Sequence, residues 1–318
     1  MLPSVDVVIP VYNEEKLIGR CLDSLKNLDY PEDRLRVFIS DNFSRDRSIE
    51  IASTYNVTIS QVKKQSIAHT RNVGARLGNA EIIAFVDSDC VVDKGWLKNA
   101  VPHFFDPCIV AAGSYPVVIT DEVNAFQRTW SQLCKGKAAG PQKVDWLSTQ
   151  NLLVRRTAFQ LMGGFNEELI TCEDADLGFR LGNCGVLVND PAIIVYHLRE
   201  PRNYKEFWKK EFWHSQSNLA GAFSHGFRPS ELPSLIMPIV FLAGAVFLIA
   251  GLAVTHRSLL WLGLLFLAVP PFLYSAVKYK ESMSFVRVLL IYFIYFSARA
   301  ASAVVELSRL IAGKMKNR

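Results

Sequence analysis

The N-terminal part of the chain alternates short apolar runs with longer helix-like stretches. Four runs have the length and the residue types of buried strands, namely residues 5–10, 37–40, 57–62 and 82–86. The stretches between them that suit helices cover residues 14–28, 46–55 and 67–77. Strands and helices that alternate in this way predict an α/β domain with a mostly parallel sheet and right-handed crossovers.

A second block, roughly residues 108–196, mixes short strands with a helix and should complete this domain. The stretch near residues 203–219 differs, because on a helix it gathers aromatic side chains on one side: Tyr204, Phe207, Trp208 and Phe212. Lysines lie opposite or flank them, a pattern typical of a helix in the membrane interface, although a buried core helix shows it too. We therefore predict a first domain over residues 1–215 that ends in an interfacial helix.

From residue 232 onward the chain is dominated by apolar runs, which predict a membrane domain over residues 232–318. Residues 232–254 and 258–277 contain no charged residue. Each stretch reaches the length of about 20 residues that a helix needs to cross a bilayer. We predict that both are transmembrane helices joined by a tight hairpin.

The third apolar stretch, residues 285–312, supports two interpretations. It is interrupted by charged residues: Arg287, Arg299, Glu306 and Arg309. A third transmembrane helix would place Arg299 at depth and carry the basic C-terminal tail to the outer side, and both features are disfavoured. A helix along the cytosolic interface keeps these cations at the lipid headgroups, so we favour two crossings and an interfacial helix.

Charge and cysteine usage narrow the class of protein. The net charge of +5 is small for a nucleic-acid binder, and much of the excess lies near the C-terminus, where it fits anionic lipid headgroups. The six cysteines are scattered, which favours free thiols in a reducing compartment. A strand begins at residue 5, so we expect no cleavable signal peptide. Together these features predict a multi-pass protein of the plasma or inner membrane with a cytoplasmic first domain.

An acidic triplet, Asp87-Ser88-Asp89, follows the apolar run at residues 82–86. Ligands of open α/β sheets bind beyond the carboxyl ends of the strands, where this triplet is expected. Carboxylate oxygens are preferred ligands of Mg²⁺ and Mn²⁺, and these ions bridge carboxylates to phosphate. A solvated turn would also accommodate the triplet, but a site for Mg²⁺ or Mn²⁺ and a phosphorylated substrate explains it better.

Further motifs accompany the acidic triplet. In chain order they cover residues 10–15, 40–46, 71–74, 87–89 and 163–181, the last of which contains Gly-Gly-Phe-Asn and Glu-Asp-Ala-Asp-Leu-Gly-Phe-Arg-Leu. In this order the motifs resemble the family 2 glycosyltransferases, inverting enzymes of the Rossmann-like GT-A fold that use nucleotide sugars. The resemblance covers about residues 4–215 and implies a GT-A domain followed by the transmembrane helices.

The resemblance assigns the loops after the first two strands to the nucleotide. It makes Asp41 a partner of the base or the ribose, and it places Pro10, Tyr12 and Glu14 along the same pocket. A helix cap is the structural alternative for the acidic residues of the second loop. The family commonly carries glycine near the position of Phe43, so this loop departs from the family pattern.

The resemblance also divides the roles within the acidic triplet. It implies that Asp89 binds the metal directly, whereas Asp87 meets the ribose or binds the metal through water, with Ser88 beside the nucleotide sugar. Arg71 would neutralise phosphate charge, although a surface arginine on its helix is equally compatible with the sequence. His197, at the end of an apolar run, is a further candidate ligand of the metal or the diphosphate, or else a structural histidine.

The acidic pair Glu173-Asp174 is the candidate for chemistry at the acceptor. Acids in a first helical turn are ordinarily stabilised by the helix dipole, but the resemblance implies that Asp174 is the general base and Glu173 the second candidate. The base would take the proton of an acceptor hydroxyl as its oxygen attacks the anomeric carbon, and this single displacement inverts the sugar. The resemblance places the floor for the donor sugar and the acceptor at three residues: Trp146, Thr149 and Asn151.

We therefore expect an inverting, metal-dependent glycosyltransferase that moves sugar from a nucleotide donor to an acceptor at the lipid bilayer; UDP-sugars are the commonest donors of the family. The expected acceptor is a polyprenyl-linked intermediate of surface polysaccharide or glycan assembly, with polyprenyl phosphate as the alternative. The Gln-x-x-Arg-Trp motif of processive synthases does not occur near residues 209–213, which argues against a polymerase. The alternative outside catalysis is a silent membrane scaffold that binds nucleotide sugars.

Overall fold

The computed structural model describes residues 2–63, 65–118, 124–134 and 140–316. The chain forms two compact units, the first made of residues 1–119 and 136–200 and the second of residues 120–135 and 201–318. All strands in the described residues lie in the first unit.

The first unit is built on a mostly parallel sheet. Its strands are β1 (Val5–Val11), β2 (Leu35–Asp41), β3 (Thr58–Gln61), β4 (Ile82–Phe85), β5 (Cys90–Val92), β6 (Ile109–Gly113), β7 (Val117–Val118), β8 (Gln142–Val144), β9 (Leu152–Arg155), β10 (Val186–Asn189) and β11 (Val195–His197). Among the described residues, eight strands form the main sheet in the order β3-β2-β1-β4-β9-β6-β10-β8, and β5, β11 and β7 form a small second sheet. β9 runs antiparallel to β4 and β6, and β8 runs antiparallel to β10. The predicted α/β class with a mostly parallel sheet is confirmed.

Helices cover this sheet and make up the second unit. In chain order they are α1 (Ile18–Lys26), α2 (Ser48–Ala52), α3 (Ile67–Leu77), α4 (Trp96–Ala100), α5 (Ala125–Cys134), α6 (Arg156–Leu161), α7 (Glu173–Leu181), α8 (Tyr204–His214), α9 (Asn218–His225), α10 (Leu232–Ala253), α11 (Arg257–Lys278) and α12 (Phe285–Lys316). Short 3₁₀ turns lie at Glu32–Arg34, Val101–Phe105, Thr149–Asn151 and Pro229–Glu231. The second unit contains α5 and α8 to α12.

The two faces of β1 explain why the sheet is covered on both sides. Successive side chains of a strand point to opposite faces, and all seven positions of β1 are buried. Val5, Val7 and Ile9 pack in the apolar cluster that contains α1 and α4, whereas Val8 packs in the cluster that contains α3, α6 and α7. β1 is therefore a central strand, and its carboxyl end lies in the middle of one sheet edge.

The second unit contains the apolar helices that the sequence predicted. Within the described part of the chain, three segments are long and apolar enough to cross a membrane: Pro229–Ala253, Arg257–Lys278 and Phe285–Arg309. α10 and α11 coincide with the two predicted transmembrane stretches, and α12 covers the third apolar stretch. α8 and α9 occupy the region predicted as an interfacial helix, and both belong to the second unit.

Candidate active site

The acidic residues singled out from the sequence gather at one edge of the main sheet. β1, β2 and β4 are parallel, and β1 lies between the other two, so their carboxyl ends share that edge. Asp41 is the last residue of β2, and Glu14 lies in the loop after β1. The triplet 87–89 follows β4. The structure thus brings the predicted nucleotide and metal residues together where ligands of such sheets bind.

Arg71 connects the acidic triplet to the start of α7. It projects from α3 and is 3% exposed. Its Nη2 donates to Asp87 Oδ1 at 2.7 Å, and its Nη1 donates to Glu173 Oε1 at 2.6 Å. A guanidinium this buried requires anionic partners, because an uncompensated buried charge strongly destabilises a fold. Arg71 is therefore not the surface arginine that the sequence also allowed. Its guanidinium pairs with both Asp87 and Glu173.

The motif at residues 71–74 fixes where Arg71 lies. Asn72 forms two hydrogen bonds of 2.9 Å with the backbone of Phe165, accepting from its N–H and donating to its carbonyl. A Cβ on Gly74 would lie 2.5 Å from side-chain atoms of Val8 and Ser40, so this glycine lets α3 approach β1 and β2 closely. Arg71 is therefore positioned by contacts with both the sheet and the Gly-Gly-Phe-Asn turn.

Asp174 lies next to Glu173 in the first turn of α7. Glu173 is buried, Asp174 is partly buried, and Asp174 Oδ1 accepts the backbone N–H of Ala175 at 2.8 Å. Burial and then the charge of Glu173 raise the pKa of Asp174 to about 7, although the charge of Arg71 lowers it. Asp174 is therefore a carboxyl group that can exchange a proton near neutral pH.

Asp89 and His197 form a candidate metal centre. Because β11 pairs with β5, His197 is brought beside the triplet, and its Nε2 lies 3.3 Å from Asp89 Oδ2. Its Nδ1 lies 2.7 Å from Glu200 Oε1, and a carboxylate in this position orients the imidazole in many metal sites. Carboxylate oxygen suits Mg²⁺ and Mn²⁺, and imidazole is a common ligand of divalent ions. The donor set therefore fits a divalent cation.

Cys90 lies within the same group but suits a metal poorly. The ligand atoms of Asp89, Cys90 and His197 all lie within 4.8 Å of one another. Burial and then the charge of Asp87 raise the pKa of the Cys90 thiol, whereas metals bind the thiolate. We therefore assign Cys90 to packing and leave Asp89 and His197 as the candidate ligands.

The loops after β1 and β2 are cross-linked by polar side chains. The N–H of Asn13 donates to Ser44 Oγ at 3.0 Å, and the N–H of Arg45 donates to Asn13 Oδ1 at 2.8 Å. Asp41 is fully buried and accepts from the N–H of Ser44 at 3.0 Å and from Gln61 Nε2 at 3.3 Å. These bonds hold the two loops as one rigid rim around the carboxyl ends of their strands.

Phe43 shows how this chain accommodates a departure from the family pattern. Its φ of 68° lies in the left-handed region that favours glycine. The loop therefore keeps the backbone conformation that a glycine would adopt, while an exposed aromatic ring is added. In the same loop Asp46 Oδ1 accepts the N–H of Ser48, the first residue of α2, at 3.0 Å, although the N-cap residue of α2 is Arg47.

The other predicted nucleotide and sugar residues differ in how far they reach solvent. Pro10 is buried within β1, and Tyr12 in the following loop is exposed. Ser88 and Thr149 are buried. Tyr12 is thus the member of this set whose side chain is open to a ligand as the structure stands.

Asn151 lies inside the core. Its Nδ2 donates to Ser114 Oγ at 2.9 Å and to the carbonyl of Ile193 at 2.8 Å, and its Oδ1 accepts from Trp96 Nε1 at 2.8 Å. Both ends of the amide are therefore engaged within the protein. The structure therefore places Asn151 as a support within the core, with its side chain closed to solvent.

Trp146 lies beside an aromatic residue that the sequence analysis did not single out. The rings of Trp146 and Tyr115 meet edge to face with centroids 6.2 Å apart. Partial burial and then the charge of Asp174 raise the pKa of the Tyr115 phenol, so Tyr115 shares the electrostatic environment of Asp174. Tyr115 comes two residues after β6 ends, and this position at a strand end is the signal that could have identified it.

Gly178 sets how closely α7 approaches Trp146. A Cβ on Gly178 would lie 2.4 Å from Trp146 Cβ and 2.6 Å from Trp146 Cα. Backbone contacts this short would displace α7, the helix that carries Glu173 and Asp174. Gly182, just after the same helix, differs, because its added Cβ would meet the nearest atom at 3.4 Å.

We expect the substitution Gly178→Ala to lower the free energy of unfolding by about 1–3 kcal/mol, as overpacking does in well-packed sites. Gly182→Ala is the matched control, since it adds the same methyl group where there is room, and it should change stability by less than about 0.5 kcal/mol. The unfolding temperatures of the full chain in detergent measure both effects. Equal unfolding temperatures for the two variants would contradict the close approach at Gly178.

Comparisons with known proteins show which family this sequence resembles. The model of glycosyl transferase family 2 matches residues 6–162. Glycosyltransferase AglE of Haloferax volcanii is 28% identical over 219 residues, which cover 66% of this chain and 71% of AglE. The beta-monoglucosyldiacylglycerol synthase of Synechocystis sp. is 28% identical over 243 residues, which cover 65% of this chain. The chain spans 50% of the length of that synthase.

A solved structure supports the same fold. The mannosyltransferase PcManGT from Pyrobaculum calidifontis, in complex with GDP-Man and Mn²⁺, matches with a TM-score of 0.63 at 18% identity. The match covers 96% of this chain and 88% of PcManGT, and at this identity it shows the fold alone. Residues 6–162 therefore form a glycosyl transferase family 2 domain, and the chain has the GT-A fold.

Proposed function

We propose that this glycosyltransferase uses a nucleotide sugar and a divalent cation to glycosylate a lipid-linked acceptor with inversion. The observation that carries the proposal is the ion-pair bridge of Arg71, which joins Asp87 of the acidic triplet to Glu173 beside Asp174. Displacement of a diphosphate by an acceptor oxygen needs donor-binding groups and a base held around one reaction centre. The bridge of Arg71 supports that arrangement.

On the donor side, Asp89 and His197 would hold Mg²⁺ or Mn²⁺, and Asp87 would meet the ion through water or bind the ribose. The bound ion supplies Lewis-acid stabilisation of the charge on the departing nucleoside diphosphate. Asp41 and Tyr12 would bind the base or ribose at the rim formed by the first two loops. PcManGT was solved with GDP-Man and Mn²⁺, which supports a nucleotide sugar and a divalent ion for this chain as well.

On the acceptor side, Asp174 is the proposed general base. Its pKa of about 7 leaves part of the Asp174 carboxyl ionised at neutral pH and able to accept a proton. It takes the proton of the acceptor hydroxyl while that oxygen bonds to the anomeric carbon and the bond to the diphosphate breaks. Trp146 and Tyr115 would form an aromatic floor for the sugar beside this base. One displacement of this kind turns an α-linked donor into a β-linked product.

The acceptor is proposed to be lipid-linked because the second unit carries apolar helices. The Synechocystis relative is named for the synthesis of a glycolipid, a monoglucosyldiacylglycerol. Holding the enzyme and a lipid acceptor at one surface raises their effective concentration. A polyprenyl-linked glycan intermediate is the acceptor that we expect here, and polyprenyl phosphate is the alternative.

Contacts at the start of α12 support two membrane crossings. α10 and α11 are consecutive apolar helices joined by a short turn, so the start of α10 and the end of α11 lie on the same side of a membrane that the hairpin crosses. The ring of Phe285, the first residue of α12, lies 6.1 Å from that of Phe272 and 5.5 Å from that of Tyr279, near the end of α11. α12 therefore begins at the open end of the hairpin.

The far part of α12 returns to the same end of the hairpin. Ala303 and Glu306 line a cavity together with Ser234 and Leu235 from the first turn of α10. A helix that crossed the membrane would instead bring Glu306 towards the closed end of the hairpin. We therefore propose that α12 lies along the membrane surface, on the side where α10 begins.

Asp174→Asn should lower the transfer rate by about 10²–10⁴-fold, because an amide cannot take the acceptor proton. Donor affinity should stay nearly unchanged. In the unsubstituted enzyme the rate should fall as the pH drops below about 7, since Asp174 is then protonated. Transfer rates between pH 5 and 9 and donor dissociation constants measure both effects, and retained turnover in the variant would rule out this role.

Glu173→Gln provides the control for the pH profile. It removes the charge that raises the pKa of Asp174 but keeps an amide oxygen that can accept from Arg71, and it does not change Tyr115, which also faces that carboxyl. The pKa of Asp174 should fall, so the loss of rate in acid should move to lower pH. An acid limb that does not move would show that another group limits the rate.

A reporter that is active only in the cytosol, fused after the last residue, should be active. Two crossings return the chain to the side of the first unit, whereas three crossings would place the reporter outside. A second fusion within the hairpin, after His256, should be inactive and serves as the control. Activity of the hairpin fusion, or inactivity of the C-terminal one, contradicts this topology.

Purified enzyme in detergent should transfer sugar to a polyprenyl-linked glycan, and chelation of divalent ions should stop the transfer. Polyprenyl phosphate is the parallel acceptor, and its product differs in charge and acid lability. Anomeric analysis of the product should show inversion. If no nucleotide sugar from a UDP and GDP panel is transferred or hydrolysed with Mn²⁺, the scaffold alternative replaces the enzyme.

A further inference from the structure

An ion pair joins Glu14, in the loop after β1, to Arg199, a residue outside the predicted set. Arg199 Nη1 and Nη2 donate to Glu14 Oε1 and Oε2 at 2.6 and 2.7 Å, a bidentate arrangement. Glu14 is 7% exposed, whereas the side chain of Arg199 is 57% exposed. The guanidinium therefore contacts a buried carboxylate on one side and solvent on the other.

Arg199 is held close to the candidate metal ligands. The backbone N–H of Leu198 donates to the carbonyl of Asp89 at 3.0 Å, and His197 Nε2 lies 3.3 Å from Asp89 Oδ2. Burial raises the pKa of the Glu14 carboxyl, the charge of Arg199 lowers it and the charge of Asp89 raises it again. Glu14, Asp89 and Arg199 thus share one electrostatic environment at the edge where β1 and β4 end.

We propose that Arg199 binds the diphosphate of the donor and that Glu14 holds it ready before the donor arrives. This inference rests on the proposed function, since it requires a nucleotide-sugar donor at this edge. A guanidinium forms bidentate bonds with phosphate as readily as with carboxylate. When a diphosphate binds beside Asp89, Arg199 exchanges its bonds to Glu14, wholly or in part, for bonds to phosphate oxygens. Glu14 is then a competitor of the diphosphate for the same cation.

A purely structural ion pair makes different demands. In that case the bond between Arg199 and Glu14 would fasten the segment after β11 to the loop after β1. Removal of either partner would then weaken diphosphate binding to the same extent. In the exchange arrangement the two substitutions act in opposite directions. Loss of Arg199 removes a phosphate ligand, whereas loss of the Glu14 charge releases that ligand. The sign of the effect at Glu14 therefore separates the two roles.

The experiment measures dissociation constants of UDP, GDP, UMP and GMP with Mn²⁺ for the full chain in detergent. Arg199→Ala should weaken the tighter diphosphate by about 10-fold or more, as expected for a lost hydrogen bond between charged groups, and should weaken its monophosphate much less. Arg199→Lys keeps the positive charge but cannot form two parallel hydrogen bonds. It should therefore weaken diphosphate binding less than Arg199→Ala does. Glu14→Gln should bind the diphosphate as tightly as the unsubstituted protein or more tightly.

Arg76→Ala is the matched control, because Arg76 is an exposed arginine of the first unit that pairs with Glu167. It should leave all four constants unchanged. The proposal is overturned if Arg199→Ala and Glu14→Gln weaken the diphosphate alike, or if Arg199→Ala weakens mono- and diphosphate equally. It also fails if both Arg199 variants bind like the unsubstituted protein. If the unsubstituted protein binds neither UDP nor GDP, it is the proposed donor that fails, and this inference fails with it.

Discussion

The site depends on one buried cation, the guanidinium of Arg71. Its partners come from elements far apart in sequence, since Asp87 follows β4 and Glu173 begins α7, 102 residues from Arg71. Arg71 Nε is buried and has no hydrogen-bond partner among the described residues, so the two carboxylates provide most of the compensation that this charge requires. Loss of either carboxylate would leave a buried charge partly unpaired. The proposed donor side and the proposed base side are therefore stabilised by the same cation.

The same constraint sets the protonation chemistry of α7. Glu173 is needed as a partner of Arg71, and its retained charge then raises the pKa of its neighbour Asp174. Asp174 lacks an ion pair of this kind among the described contacts and accepts the N–H of Ala175 instead. Two adjacent acids thus come to differ in role because one of them is committed to a cation. This division argues for Asp174, rather than Glu173, as the group that exchanges protons.

The sequence was most informative in the first ninety residues. β1, β2, β3 and β4 were predicted to within two residues because each contains β-branched or aromatic side chains between turn or helix signals. β5, β7 and β11 have two or three residues each, too few to show a period, and they are the strands that bring His197 to Asp89. The burial of Arg71, the inward amide of Asn151 and the bond from Arg199 to Glu14 depend on partners 16 to 185 residues away. Such contacts leave no pattern in the neighbouring sequence. The sequence therefore identified the candidate residues but did not predict their burial or their partners.

Two charged side chains of α12, Arg299 and Glu306, are satisfied by neighbouring helices of the second unit. Arg299 donates to Glu211 Oε2 of α8 at 3.1 and 3.2 Å, and Glu306 accepts the N–H groups of Leu219 and Ala220 in the first turn of α9. Ionised groups in a bilayer core are costly unless paired, and here the pairing partners are the two short helices that the sequence suggested for the interface. Arg299 and Glu306 thus each reach one of these short helices, which places this part of α12 beside them. Two of the four charges that made this segment ambiguous in sequence are therefore satisfied within the second unit, and this supports the proposed position of α12 at the membrane surface.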